Sequence, residues 1–257
     1  RRGHARAPGG PGLRRARRVR RFPLAGAGRT ASEQLAWSFW LQAGHRLEDA
    51  VRAAHLAAQS PGFGLASARL AELRFAQGQI PLATEALQTS LSVSPRNARA
   101  VALAGFLLAA DGRVRQALHS FERALELDAR LGDAWLGRGL CRIRRGDTPG
   151  GLADLRMAAA LEPNRALLRS YLAKALQHSG DPAGAWQQLD LARQLDPADP
   201  TWAFYRALVL GDAHRFNEAI GALDQSKRLN SNRRLYRSEY RLDEDLAVRG
   251  ASLARLY

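Results

Sequence analysis

The sequence predicts an all-α protein, a solenoid of stacked antiparallel helix pairs, and three periodic observations carry that prediction. Proline or a small stand-in recurs every 34 residues at Pro95, Ala129, Pro163, Pro197 and Ser231. Glycine keeps the same step at Gly78, Gly112, Gly146 and Gly180, with His214 standing where the fifth would fall. Between these lie three further series at the same step: Ala83, Ala117, Gly151, Ala185, Ala219; Leu87, Phe121, Leu155, Leu189, Leu223; and Ser90, Ala124, Ala158, Ala192, Ser226. Self-similarity at a fixed period of this size marks a repeat architecture, in which each unit buries its apolar face only by stacking on its neighbours.

The elements follow in chain order. Residues 1–29 carry ten arginines, many Pro and Gly, and no Asp or Glu. Such a head buries too little apolar surface to offset ordering entropy, so disorder is expected. Residues 30–63 read as an irregular helix pair. Ser32 is its candidate cap, Gly44 its first stop, and the second helix ends near Pro61. Trp37 and Trp40 in this pair are expected to pack on the end of the array.

Five units follow at 64–97, 98–131, 132–165, 166–199 and 200–233. The third shows the logic. Ala134, Trp135, Leu140 and Ile143 recur at helical spacing. Gly146 stops that helix, because glycine alone takes the left-handed C′ conformation without penalty. Asp147 or Thr148 then caps a second helix, with Pro149 in its first turn, where no N–H is needed. Leu152, Leu155, Ala158, Ala159 and Leu161 line that helix, and Pro163 closes the unit. At 234–257 the phase breaks and a further first helix is expected to begin near Ala247, cut short at Tyr257. Asp243, Glu244 and Asp245 would stand at its N-terminus, where negative charge is favourable.

These units resemble tetratricopeptide repeats. Trp135 and Gly139 match the Trp and Gly of that family's first helix, and Ala117, Phe121 and Ala124 match the Ala, Phe and Ala of its second. The match runs unbroken from Gly64 to Arg233, and it implies a right-handed superhelical solenoid. It also implies that the concave face presents the second, fifth, ninth and twelfth positions of each first helix. Here those include Glu72, Phe75, Arg99, Phe106, Leu136, Leu140, Ile143, Lys174, Gln177 and Phe204. The groove so drawn is apolar in the middle with a few flanking charges, which suits a helix or extended peptide with hydrophobic anchors. The carboxylate clamp of the family's chaperone adaptors is disfavoured: Lys174 and Arg99 are present, but the clamp asparagine is missing. The last third (LLRSYLAKAL, ARQLDPADPTWAFYRAL and the segment from Leu229 to Tyr257) also resembles large bacterial proteins. In these an iron-dicitrate-sensor-like (FecR-type) domain precedes the repeats, which implies a cell-envelope location and a chain that is a piece of a longer protein.

Catalysis finds no support in the motifs. His4, His45, His55, His119, His178 and His214 show no metal-ligand spacing, and no phosphate loop or GxSxG is present. No cofactor is expected. Cys141, the single cysteine, reads as a small packed hydrophobe. The longest apolar run, Ala100–Ala110, falls short of the roughly 18 residues of a membrane span. The net charge of +15 belongs mainly to the head, since the rest of the chain holds 29 basic and 24 acidic residues. The head's arginines could neutralise phosphate on nucleic acid or lipid. A linker, or out-of-frame coding from GC-rich DNA, accounts for the same composition, and Arg outnumbering Lys by 37 to 2 agrees with that. The function expected is therefore a non-catalytic scaffold binding a protein or peptide partner. A spacer array within a larger enzyme or export protein, or nucleic-acid binding through the head, are the alternatives.

Overall fold

The structure, a computed structural model, describes residues 30–44 and 46–229. The expectations for the head and for 234–257 lie outside them, as does His45. Twelve helices and no strand occur among the described residues. They are α1 Ala31–Ala43, α2 Leu47–Ala58, α3 Gly64–Ala76, α4 Ile80–Val93, α5 Ala98–Ala110 and α6 Val114–Leu127. Then follow α7 Gly132–Arg144, α8 Thr148–Leu161, α9 Ala166–His178, α10 Pro182–Leu195, α11 Pro200–Asp212 and α12 Phe216–Leu229. From α3 onward every first helix and every second helix begins 34 residues after its predecessor.

One backbone device makes each pair. In the turn from α7 to α8, Gly146 takes φ 91°, its N–H reaches the Ile143 carbonyl at 2.9 Å, and the Asp147 N–H reaches the Arg142 carbonyl at 3.0 Å. This is the Schellman closure, which satisfies carbonyls the helix end would otherwise leave open. The same two bonds recur at Gly78, Gly112, Gly180 and His214. His214 does it at φ 58° without glycine's freedom, in a conformation that costs an L-residue about 1–2 kcal/mol. The second helix then starts under an aspartate cap where the sequence supplies one. Asp147 accepts from the Gly150 N–H at 2.9 Å and Asp181 from the Gly184 N–H at 2.8 Å.

The first pair obeys different local chemistry. Thr30, not Ser32, caps α1: its hydroxyl accepts from the Glu33 N–H at 3.3 Å while the Glu33 carboxylate accepts the Thr30 N–H at 2.8 Å. That reciprocal capping box needs the acid three residues after the cap, a spacing Ser32 does not have. Gly44 is the C-cap of α1, and α2 ends at Ala58, three residues before Pro61. The Trp37 and Trp40 rings stack face to face at 4.3 Å and pack on Leu41, Leu47 and Ala50. Arg69 of α3, only 3% exposed, straps this pair to the array. It donates to Ser38, Gln42 and Glu72 and lies 3.9 Å from the centre of the Phe39 ring. A buried guanidinium is tolerable because its donors are matched.

The core runs along the interior of the stack. All five small positions from Ala83 to Ala219, all five bulky positions from Leu87 to Leu223, and all five positions from Ser90 to Ser226 are buried. In the two outermost units serine replaces alanine at the third of these. Ser90 donates to the Gly64 carbonyl at 2.8 Å and Ser226 to the Pro200 carbonyl at 2.9 Å, each bond tying a second helix to the start of its first. First helices of successive pairs touch one another (α3 with α5, α5 with α7, α9 with α11), whereas second helices chiefly reach the first helix of the next pair. That asymmetry puts the first helices on the inner face of the curve.

Candidate functional site

The inner face carries two hollows, built on successive first helices. The larger, about 830 Å³, lies over α5, α7, α9 and α11. Leu140 and Ile143 of α7, Tyr171 and Ala175 of α9, and Tyr205, Leu208 and Val209 of α11 form its apolar surface. Arg144, Lys174, Gln177, His178 and Asp212 supply its polar groups. The smaller hollow, about 260 Å³, is bounded by Leu35, Phe39, Leu65, Arg69, Glu72, Asn97, Arg99, Phe106 and Asp133 among others.

The ten groove residues expected from the repeat positions divide accordingly. Leu140, Ile143, Lys174 and Gln177 come together in the larger hollow, and Glu72, Arg99 and Phe106 in the smaller. Phe75, Leu136 and Phe204 line neither and are 0%, 0% and 5% exposed. They are core residues, packed into the main hydrophobic cluster of the stack. Phe106, although it borders the smaller hollow, is itself 1% exposed and meets Phe121 edge-on at 4.8 Å.

Residues outside the expected set complete the larger hollow. Tyr171 and Tyr205 occupy the sixth position of consecutive units, with ring centres 5.9 Å apart. Two tyrosines one period apart were a legible signal. Lys174 sets its ammonium 5.1 Å from the centre of the Tyr205 ring, within cation–π range. Gln177 donates to Asp212 at 2.8 Å, joining α9 to α11. Arg144 donates to the Ala109 carbonyl at 3.3 Å, joining α7 to the end of α5. The Tyr205 hydroxyl and Gln177 Oε1 are buried without a hydrogen-bond partner. Leaving such atoms unsatisfied costs about 1–3 kcal/mol each.

Other polar clusters are architectural. Asp154, buried in α8, receives Arg138 Nε and Nη2 at 2.9 and 2.8 Å and Arg142 Nη1 at 2.9 Å. The hydrogen bond to Asp154 raises the Arg138 pKa above its ordinary value. Burial pushes the Cys141 thiol up to about 11, so it stays a protonated, unreactive thiol near neutral pH. No group of three or more His, Cys, Asp or Glu able to hold a metal occurs among the described residues. No helix among them is long and apolar enough to cross a membrane.

Comparison with known proteins places the fold. No protein-family model matches the sequence, and no curated protein matches it. Solved structures do. A thermophilic TPR protein of Thermus thermophilus is 24% identical, with TM-score 0.61 over 70% of this chain and 99% of that one. The APC/C hetero-tetramer Cut9-Hcn1 superposes with TM-score 0.70 at 16% identity over 88% of this chain, which spans 43% of that chain's length. PilF of Pseudomonas aeruginosa gives 0.56 at 19% identity, over 80% of this chain and 94% of that one. The inner-face hollows therefore stand on a chain with the fold of a tetratricopeptide-repeat solenoid.

Proposed function

We propose that this chain is a non-catalytic protein-interaction scaffold that takes a peptide in the larger inner-face hollow. The observation that supports the reading most is the hollow itself. Its apolar floor is rimmed by Arg144 and Lys174 and flanked by the orphaned Tyr205 hydroxyl and Gln177 Oε1. Apolar side chains of a peptide would rest on Leu140, Ile143 and Leu208, and its carbonyls or carboxylates would meet the rim cations. Exposed ion pairs contribute little by themselves, so the leucine contacts carry affinity and the rim carries selectivity.

The test is a titration of an immobilised peptide library that varies apolar anchors and flanking charge. Peptides with two apolar anchors and flanking acids should bind the full chain. Leu140→Glu combined with Lys174→Glu should weaken them at least tenfold while the helical circular dichroism is unchanged. Binding that ignores both substitutions removes the hollow from consideration. The cell-envelope placement implied by the last third belongs to the same proposal, and fractionation of the native host, probed with an antibody to the chain, tests it.

A further inference from the structure

We infer that a crevice between α4 and α5 is a docking pocket for a tryptophan side chain of a partner polypeptide. It is a site apart from the larger hollow, which it meets only at Ala110. The crevice holds about 530 Å³. Ile80, Thr84, Leu87 and Leu91 recur at helical spacing along α4, and Ala104, Leu107 and Leu108 along α5. Ile80, Leu91, Leu107 and Leu108 pack against the core yet stay half-buried, so apolar surface at the crevice remains open to solvent.

The repeat itself shows what this junction lacks. The twenty-first position of one unit and the seventh of the next meet where a second helix packs on the following first helix. At α10–α11 these are Trp186 and Arg206: the guanidinium covers the indole at 4.9 Å and reaches Asp190 at 3.6 Å. The same positions hold Leu118 and Arg138 at α6–α7, and Leu152 and Leu172 at α8–α9. At α4–α5 they shrink to Thr84 and Ala104, and Gln88 stands in the place of Asp190. The helices keep the common step, so the volume that an indole and a long cation fill at α10–α11 is left open here.

The walls and mouth select the occupant. The Thr84 hydroxyl donates to the Ile80 carbonyl at 2.9 Å, so the walls ask for no polar partner. At the mouth, past the end of α5, Asp111 and Arg113 are exposed, and their side chains have no hydrogen bond or ion pair among the described residues. An acceptor beside a cation suits an indole, whose N–H donates and whose ring face attracts a guanidinium. The two charges cancel, so a neutral ring enters unopposed, whereas a charged side chain loses hydration against the walls. Gln88, exposed at the edge and equally without a partner, offers the amide donor and acceptor that a peptide group takes, which assigns the ring to a polypeptide. Tryptophan is also among the side chains that most often anchor interfaces by filling a pocket.

The probes are blocked pentapeptides with Trp, Phe, Leu or Lys between pairs of alanines, together with N-acetyltryptophanamide. Each is titrated into the full chain carrying isotope-labelled leucine methyl groups, read by NMR. The Trp peptide should shift Leu87, Leu91, Leu107 and Leu108 and bind at least fivefold more tightly than the Phe peptide, with the Leu and Lys peptides leaving them in place. Thr84→Trp with Ala104→Arg, which rebuilds the α10–α11 arrangement, should abolish the shifts. Where that pair lowers the helical circular dichroism, Ala104→Leu alone decides, and should weaken the Trp peptide at least threefold. Unshifted leucines with every probe, no preference for Trp over Phe or Leu, or binding indifferent to the filling substitutions overturns the pocket. N-acetyltryptophanamide binding more tightly than the Trp peptide assigns the site to a small molecule and overturns the partner chain. Shifts that appear on concentrating the chain alone assign it to a second copy and overturn it equally.

Discussion

The middle of the array and its C-terminal end solve one packing problem in opposite ways. In the middle the bulk comes from a second helix: Phe121 fills the bulky position where the other units carry leucine. Glycine clears space for it on both sides. A Cβ at Gly105 would lie 2.7 Å from the Phe121 ring, and one at Gly137 only 2.2 Å. Toward the C-terminus the second helices carry the smaller Leu155 and Leu189, and the sixth position of the next first helix enlarges to Tyr171 and Tyr205. The aromatic bulk moves from a second helix to first helices, where Tyr171 and Tyr205, 0% and 1% exposed, lie in the core beneath the larger hollow. The larger hollow lies where first helices carry the aromatics. A repeat thus varies its binding face by deciding which helix of each pair is large, with the backbone period untouched.

The largest test of this contrast is Gly137→Ala. The added methyl has no room beside Phe121, and overpacking of that kind costs about 1–3 kcal/mol, read as a lowered urea midpoint. Phe121→Leu in the same chain should return at least half of the loss, because leucine already fills this position elsewhere. A double variant no better than the sum of its singles breaks the comparison.

Cys141 checks the same middle unit by accessibility. A thiol reagent at pH 8 should modify it at least a hundredfold more slowly in the folded chain than in urea. Its folded pKa of about 11 stands above the ordinary value of 9.0, so the sign is set. The associated stability is complete below pH 9 and declines as pH rises toward 11. Fast labelling of the native chain would show that the middle is more open than its packing implies.

At the C-terminal end, His214→Gly should stabilise the last pair by about 0.5–1 kcal/mol by relieving the left-handed backbone. Gly180→Ala, one unit earlier, should cost about 1 kcal/mol for the same reason. Equal responses at the two sites would mean the His214–Phe216 ring contact, at 5.8 Å, offsets the strain. Smallest of all, Tyr205→Phe should leave stability within about 0.5 kcal/mol or raise it, since the hydroxyl it removes has no partner. The same change should weaken peptide binding severalfold if that hydroxyl serves a ligand.

Much of the fold was legible in one dimension. The glycines at the turns were readable because a left-handed C′ residue has few substitutes, and the small series because close helix contact admits little else. Thr30 escaped as a cap because its signature lies in the acid three residues on, and a nearby serine competes for the same reading. The site was half legible. Leu140, Ile143, Lys174 and Gln177 follow from their unit positions, whereas Phe75 shares the position of Ile143 and Gln177 yet is core, as are Leu136 and Phe204 at the fifth position. Unit position sets the direction in which a side chain leaves its helix, and does not say whether a neighbouring helix already occupies that space.

The sequence by itself determined the helix pairs, their 34-residue step and the turns between them, because each depends on contacts within a few residues or on one repeated fit. Only the tertiary structure decided where the groove opens. That depends on how Phe121, Gly105 and Gly137 share a volume in one place and on where Tyr171, Tyr205, Lys174 and Asp212 meet in another. Those encounters join residues from different units, and a period describes every unit alike.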